Sequence, residues 1–368
     1  MGASKALIEL AEELEPLGWE CKMLSPADLM SEGKGNGNDK YHIHLYHYLR
    51  EHAAEYDVVD YDHNYLPYAR SEFHPQTLFV ARAVLLAHHF AKIPLPEDKR
   101  LKPRLHRLII NRNKAERDIE AIRNAHTTLC EADLINVAND DDRAELVEHG
   151  VPEDKVFVAP YGISRSQREL FNAVSSKPPA EPLVAFVGTF DKRKGSTDFP
   201  QIVEADCSAV PRARFRLLGT YLSEREVLAS FPKKLKNRIE VVPQYAPERL
   251  PELLAPCAVG VFPSYIEGFG LGVLEMLAAS IPVIAYNAPG PPMMLPPGYL
   301  VPRGATYAMS AKVIKLLNDQ ESLAAARLWA KQRSQEFCWR TIAQKTNQIY
   351  LEHWQKKQSN LFRLSAIG

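Results

Sequence analysis

Apolar residues recur at three- and four-residue spacing over 4–17, where Ala6, Leu7, Leu10, Ala11 and Leu14 line one face of a predicted helix. Pro16 and Gly18 close it, and the apolar run WECKML (19–24) predicts a strand. A Gly/Asn-rich loop, 31–39, interrupts the pattern before helical spacing returns over 40–54. Short apolar runs then alternate with helical segments. Strands are predicted within YDVVDYD (56–62), LFVARAVLLAHH (78–89), LINVAN (134–139) and KVFVAPYG (155–162), with a helix over DDRAELVEHG between the last two. The polar, proline-rich SSKPPAEP (175–182) reads as a domain boundary, and the rhythm restarts after it. LVAFVGTF, RFRLLGTY, RIEVVPQY, AVGVFPSY and IPVIAYNA predict strands, with helical segments at 223–230, 247–255 and 271–279 and a helical tail from about residue 306.

Strands alternating with helices predict parallel sheets covered on both faces, so the fold class is α/β with two Rossmann-like domains in tandem. Such a domain ordinarily opens with a strand, a glycine turn and a helix. This sequence passes from Met1-Gly2 directly into its first helix, so the first strand of the N-terminal domain is expected to be missing.

Composition narrows the classes. Hydrophobic residues make up 46% and charged residues 24% of 368, ordinary for globular domains. Lys+Arg and Asp+Glu are both 45, which argues against a general nucleic-acid binder. Five scattered cysteines without metal spacing fit a reduced, cytoplasmic setting, and no apolar run is long enough to span a bilayer.

The candidate chemistry lies in SYIEGFGLGVLEML (264–277), which reads as the loop and helix that follow a parallel strand. Open parallel sheets bind ligands beyond the carboxyl ends of their strands, and a helix N-terminus favours an anion, phosphate above all. Glu267 precedes the turn, Glu275 lies about one turn inside the helix, and Gly268, Gly270 and Gly272 allow close backbone approach. Taken alone, two glutamates here are a solvated loop acid and a helix-dipole acid, or a glycosidase pair. Tandem parallel domains favour a nucleotide-using enzyme.

PSYIEGFGLGVLEMLAASIPVIA, with seven residues between the two glutamates, resembles the signature of family-4 retaining glycosyltransferases of the GT-B fold. VAFVGTFDKRKGSTDF is similar to that family's phosphate-binding loop, and ADLINVANDDDRAELVEHGVPEDKVFVAPYGI to its last N-domain strands. The resemblance implies that Glu275 binds the ribose and that Glu267 faces the donor sugar near the reacting carbon. It implies that Gly188 and the backbone of Gly268, Phe269, Gly270 and Leu271 hold sugar hydroxyls and phosphate oxygens, and that Lys194 neutralises the diphosphate. Where the family usually has an arginine, this chain has Thr189, and Lys192 and Arg193 are both open as its replacement. Ser280 stands where a small residue is common. VLLAHHF resembles a strand ending in a functional histidine, which assigns His88 to catalysis, with His89 beside it; His63, after Asp62, is a weaker candidate. Gly2 matches a glycine turn that approaches the phosphates.

Two features are weighed down. His42, His44, His47 and His52 lack the spacing for a helical zinc pair and read as a packed helix. Residues 98–117 form a basic amphipathic stretch, more often a wet helix face than a peripheral membrane contact.

The resemblance implies domains at 1–165 (acceptor side) and 166–345 (nucleotide-sugar side), facing across a crevice, with the helix 346–368 packing back on the first. It implies a cytoplasmic retaining transferase moving a sugar from a nucleotide-diphosphate sugar to a glycan, lipid-linked or small-molecule acceptor, without a metal or other cofactor, with the leaving phosphate helping to deprotonate the acceptor. A GT-B sugar-nucleotide epimerase, a phosphorylase and a non-catalytic sugar-nucleotide binder remain as rivals.

Overall fold

The computed structural model describes residues 2–30, 41–96 and 119–365. The 31–39 loop and the basic stretch 98–117 therefore lie outside the described residues. The chain forms two compact units. The first takes the described residues up to Ala91, those from 119 to Pro160 and those from Arg340 onward; the second includes Tyr161–Trp339.

In the first unit, β1 (Val58–Asp62), β2 (Leu78–Ala83), β3 (Leu134–Val137) and β4 (Val156–Val158) form a four-stranded parallel sheet in the order β1-β2-β3-β4. Side chains alternate across a sheet, so β2 serves two cores. Phe79, Ala81 and Ala83 join Ile135, Val137, Leu45 and Leu49 on one side. Leu78 and Val80 join Leu134 and Tyr350 on the other. The helix Gly2–Leu14 buries Ala6, Leu10 and Leu14, the predicted stripe, and Gly2 is its first residue.

WECKML is not a strand. Trp19 packs on the Leu78 side of the sheet and Leu24 on the Phe79 side. The apolar spacing that suggested a strand belongs to a connecting segment with contacts on both faces.

Asp60, Arg82 and Asn136 come from three adjacent strands. Arg82 Nε donates to Asp60 Oδ1 at 3.1 Å and Nη1 to Asn136 Oδ1 at 2.5 Å. The hydroxyl of Tyr350, from the C-terminal helix Trp339–Ser365, donates to Asp60 Oδ2 at 2.7 Å. Trp19 Nε1 donates to Asn347 Oδ1 and Lys357 pairs with Asp133, both at 2.7 Å, tying the same helix down.

The second unit holds β5 (Leu183–Val187), β6 (Arg214–Leu218), β7 (Ile239–Val242), β8 (Val259–Phe262), β9 (Val283–Tyr286) and β10 (Leu300–Val301). They form one parallel sheet in the order β10-β9-β8-β5-β6-β7. β5, β8 and β9 are buried throughout, as continuous apolar runs in a doubly covered sheet should be. The order reverses between β5 and β8, and the loops beyond these two strands carry 188–195 and 263–270. That is the switch point where open α/β sheets leave room for a ligand.

The helical tail is three helices, Thr306–Asn318, Gln320–Ser334 and Trp339–Ser365. In the second of them Arg327 is fully buried, and its guanidinium donates to the carbonyls of Ser175, Ser176, Cys257 and Ala258. No helix among the described residues is long and apolar enough to cross a membrane.

Candidate functional site

The first wall of the site is the turn after β5. Gly188 has φ +152°, and its N–H donates to Leu218 O at 2.9 Å, which ends the strand against β6. Asp191 organises the turn: its backbone oxygen accepts the N–H of Lys194 at 3.1 Å and of Ser196 at 3.0 Å, and Oδ1 accepts Lys194 N–H again at 3.1 Å. The Thr189 hydroxyl donates to Asp191 Oδ2 at 2.5 Å, so it serves the turn. Gly195 is required in two ways: φ is +78°, and a Cβ would collide with the carbonyl oxygen of Pro263. The turn thus lies flat on the loop after β8 and holds the Lys194 ammonium 4.8 Å from the centre of the Phe262 ring.

The second wall is that loop. Tyr265 N–H donates to Arg193 O at 2.8 Å, joining the two walls through backbone. The hydroxyls of Tyr265 and Tyr286 both donate to Asp198 Oδ2, at 2.7 and 2.6 Å. Burial, reinforced by this carboxylate, holds both phenols well above their ordinary titration range. Glu267, only 5% exposed, meets two cations on one oxygen. Its Oε1 lies 2.6 Å from Lys194 Nζ and 3.1 Å from Arg193 Nη1. The same Arg193 nitrogen donates to Ile266 O at 3.0 Å.

The helix Leu271–Ala278 follows, led in by Gly270 at φ +90°. A Cβ on Gly272 would collide with the carbonyl of Val187, so the helix start is seated against the end of β5. The Phe269 side chain is buried against Tyr161 and Phe337, and its carbonyl lies so close to Gly290 that a Cβ there would collide with it. Glu275 is half-buried one turn in. Tyr245, beyond β7, has its phenol pushed well above the ordinary range by burial and then by the charge of Glu275. The structure therefore brings Gly188, Lys194, Arg193, Glu267, the 268–271 backbone and Glu275 together within the second unit. A helix N-terminus, an ammonium and a guanidinium around one carboxylate form a place that can accept a multiply charged anion.

Sequence reasoning missed Asp198, Tyr265, Tyr286 and Tyr245. Tyr265 lies inside the quoted motif, two residues from Glu267, but its partner Asp198 is far away in sequence.

The candidate histidines belong to the first unit. β2 ends at Ala83, so His88 lies five residues beyond the strand that was expected to end on it. It is buried, and Nε2 is 3.1 Å from His126 Nδ1, with the His149 ring 5.2 Å away. Burial, then the neighbouring histidines, lowers its pKa to about 4, so the ring is neutral at pH 7. His89 turns away to Asp142, 2.6 Å from Oδ1, and begins the short helix His89–Lys92. His63 is fully buried with Nδ1 3.4 Å from Asp62 Oδ1. His126 and His149 were not singled out from the sequence, because nothing in their spacing links them to His88. Among the described residues no group of three or more His, Cys, Asp or Glu could hold a metal ion.

Residues 167–333 match the family described as glycosyl transferases group 1. That stretch is similar to group 1 glycosyl transferase domains. It contains both walls of the site and most of the second unit. The D-inositol 3-phosphate glycosyltransferase of Nocardia farcinica is 27% identical over 233 residues, 59% of this chain and 52% of its own length. The chain thus spans about half the length of that curated relative. Among solved structures, sucrose-phosphate synthase from Thermosynechococcus elongatus superposes with a TM-score of 0.68 at 19% identity, covering 96% of this chain and 93% of its own. HepE of Anabaena, in complex with UDP and glucose, gives 0.64 at 16% identity, covering 95% of each chain. The two parallel sheets and these neighbours establish the fold as GT-B.

Proposed function

We propose that residues 167–333 form a group 1 glycosyl transferase domain that binds a nucleoside-diphosphate sugar, and that the protein transfers the sugar to an acceptor hydroxyl with retention of anomeric configuration. The observation that carries the reading is the meeting of Lys194 and Arg193 on Glu267 at the start of the helix Leu271–Ala278. The UDP and glucose held by a structural neighbour of the same fold support a nucleotide sugar as the ligand class.

Each residue has a physical task in this reading. The 270–272 N–H groups and Lys194 meet the diphosphate, whose negative charge grows as the bond from the anomeric carbon to the phosphate oxygen breaks. Fixed donors aimed at that charge stabilise the transition state more than the ground state. Glu275, one turn inside the helix, accepts hydrogen bonds from the ribose diol. Glu267 accepts from a hydroxyl of the donor sugar and orients its anomeric carbon. The acceptor oxygen bonds to that carbon on the face the diphosphate leaves, and its proton passes to the departing phosphate oxygen. His88, neutral at pH 7, is suited to accept a hydrogen bond or a proton rather than to supply a charge.

The test is incubation with UDP-, GDP- and ADP-sugars, followed by NMR of the products. Transfer or slow hydrolysis with the anomeric configuration kept supports the transferase; an epimerised donor without transfer supports an epimerase; tight binding without turnover supports a binder. Glu267→Ala should lower turnover by at least about 100-fold, the scale of losing one oriented electrostatic contact. Nucleoside diphosphate binding should be kept, because the helix N-terminus and Lys194 that meet the diphosphate remain. Full activity in that variant would remove Glu267 from the mechanism.

A further inference from the structure

The three charges at the centre of the site do not share their contacts evenly, and this asymmetry bears on what happens when a diphosphate arrives. Lys194 Nζ has a single flexible stem and sits on Glu267 Oε1 at 2.6 Å. An ammonium is a compact charge that re-aims easily. Arg193 reaches the same oxygen at 3.1 Å while its Nη1 also donates to Ile266 O at 3.0 Å. Its own carbonyl accepts the N–H of Tyr265 at 2.8 Å. Arg193 is thus tied at backbone and side chain to the very segment that carries Glu267. The other carboxylates of the two walls are engaged elsewhere: Asp191 by Thr189 and the Lys194 N–H, Asp198 by Tyr265 and Tyr286.

We propose that Arg193 is a positioning residue that keeps Glu267 paired and in place after Lys194 leaves it for the diphosphate of the donor. This rests on the nucleotide-sugar reading above and adds a partner exchange to it. A diphosphate carries more negative charge than one carboxylate, so the ammonium transfers to it. Glu267 is almost fully buried, and a buried carboxylate stripped of its cation takes up a proton or becomes strongly destabilising. Arg193, held by Ile266, stays behind and prevents both. Lys194 and Glu267 are paired directly, and diphosphate binding opens that pair without leaving Glu267 unpaired.

The exchange is read by proton linkage rather than by activity. UDP, GDP and ADP are titrated into the full chain by calorimetry at pH 7, in buffers of differing ionisation enthalpy. The wild type should bind with almost no proton uptake at Glu267. Arg193→Gln should take up a substantial fraction of one proton on binding, and that uptake should vanish in the double variant Arg193→Gln/Glu267→Gln. Arg193→Lys, which restores a cation without the fork, should fall between. Affinity for the diphosphate should change by less than about 5-fold in Arg193→Gln, since Lys194 still meets it. Binding by Arg193→Gln with the same proton balance as wild type overturns the assignment. So does a loss of affinity above about 30-fold in both Arg193 variants with native thermal unfolding, which would make Arg193 a direct diphosphate ligand. A wild type that binds none of the three nucleotides overturns the nucleotide-sugar reading itself, and this exchange with it.

Discussion

At the scale of single residues, Ser280 shows how one backbone angle carries through to stability. The helix Leu271–Ala278 ends with Ser280 N–H on Leu277 O and Ile281 N–H on Met276 O, both at 2.9 Å. That pairing needs a left-handed residue between them, and Ser280 has φ +60°. A side chain pays roughly 1–2 kcal/mol for that conformation. The Ser280 hydroxyl is also fully buried with no hydrogen-bond partner among the described residues. Ser280→Gly should therefore stabilise the second unit by about 1 kcal/mol, after the extra chain entropy of glycine is counted. Thermal unfolding should move up by about 2–4 °C, and an unchanged or lower midpoint would refute the strain. From the sequence, Ser280 was legible only as a small residue; the angle that makes smallness matter was not. Thr189 and Arg193 divide the same way. The lack of a cation at 189 could be read directly, but that the Arg193 guanidinium reaches Ile266 O and Glu267 could not.

At the scale of elements, most strands could be read because doubly buried strands are continuous apolar runs, whereas the helix Phe199–Ala209 could not. Its second residue is Pro200, which reads as a breaker but sits in the first turn, where the missing N–H would have had no helical partner. Its polar Asp206 also blurs the apolar stripe, yet the structure buries it completely. Burial drives the Asp206 carboxyl up to about 7, and neither of its oxygens has a hydrogen-bond partner among the described residues. Between the ordinary unfolded value near 4 and about 7, the native state keeps a proton that the unfolded state releases. The stability of the second unit should therefore fall as pH rises through that window and level off above it, with an upper bound of about 4 kcal/mol. Asp206→Asn removes the titration. Its urea midpoint relative to wild type should rise from pH 5 to pH 8, and parallel pH profiles for the two proteins would rule out a buried proton. WECKML is the converse case: a run with strand character that has no sheet to join, because Trp19 and Leu24 pack on opposite faces while Met23 is exposed.

At the scale of the whole molecule, the tandem α/β plan was the most legible feature, since it depends only on the alternation of strands and helices. What the alternation could not show is the ionic core inside the first sheet. Arg82 lies next to the end of β2, in a strand buried throughout, and it is 3% exposed. It is tolerable because Asp60 and Asn136 flank it on neighbouring strands and Tyr350 closes the group from the C-terminal helix. The contact crosses 290 positions of sequence, so no local pattern announces it. Tyr350 is buried, and burial with the charge of Asp60 holds its phenol well above the ordinary range, so it acts as a neutral donor. Tyr350→Phe keeps the ring against Leu78, Val80 and Leu134 but removes that donor. Asp60 then loses one hydrogen bond and Arg82 one acceptor, a cost of about 1–3 kcal/mol for buried charged partners. Native-state hydrogen exchange should report it locally: amides of β1, β2 and β3 should exchange about 5- to 100-fold faster. Those of β5 and β8, in the other unit, should stay at the wild-type rate. Equal acceleration in both sheets would mean that the C-terminal helix stabilises the chain as one cooperative block, while no acceleration anywhere would mean that Arg82 and Asp60 satisfy each other without it.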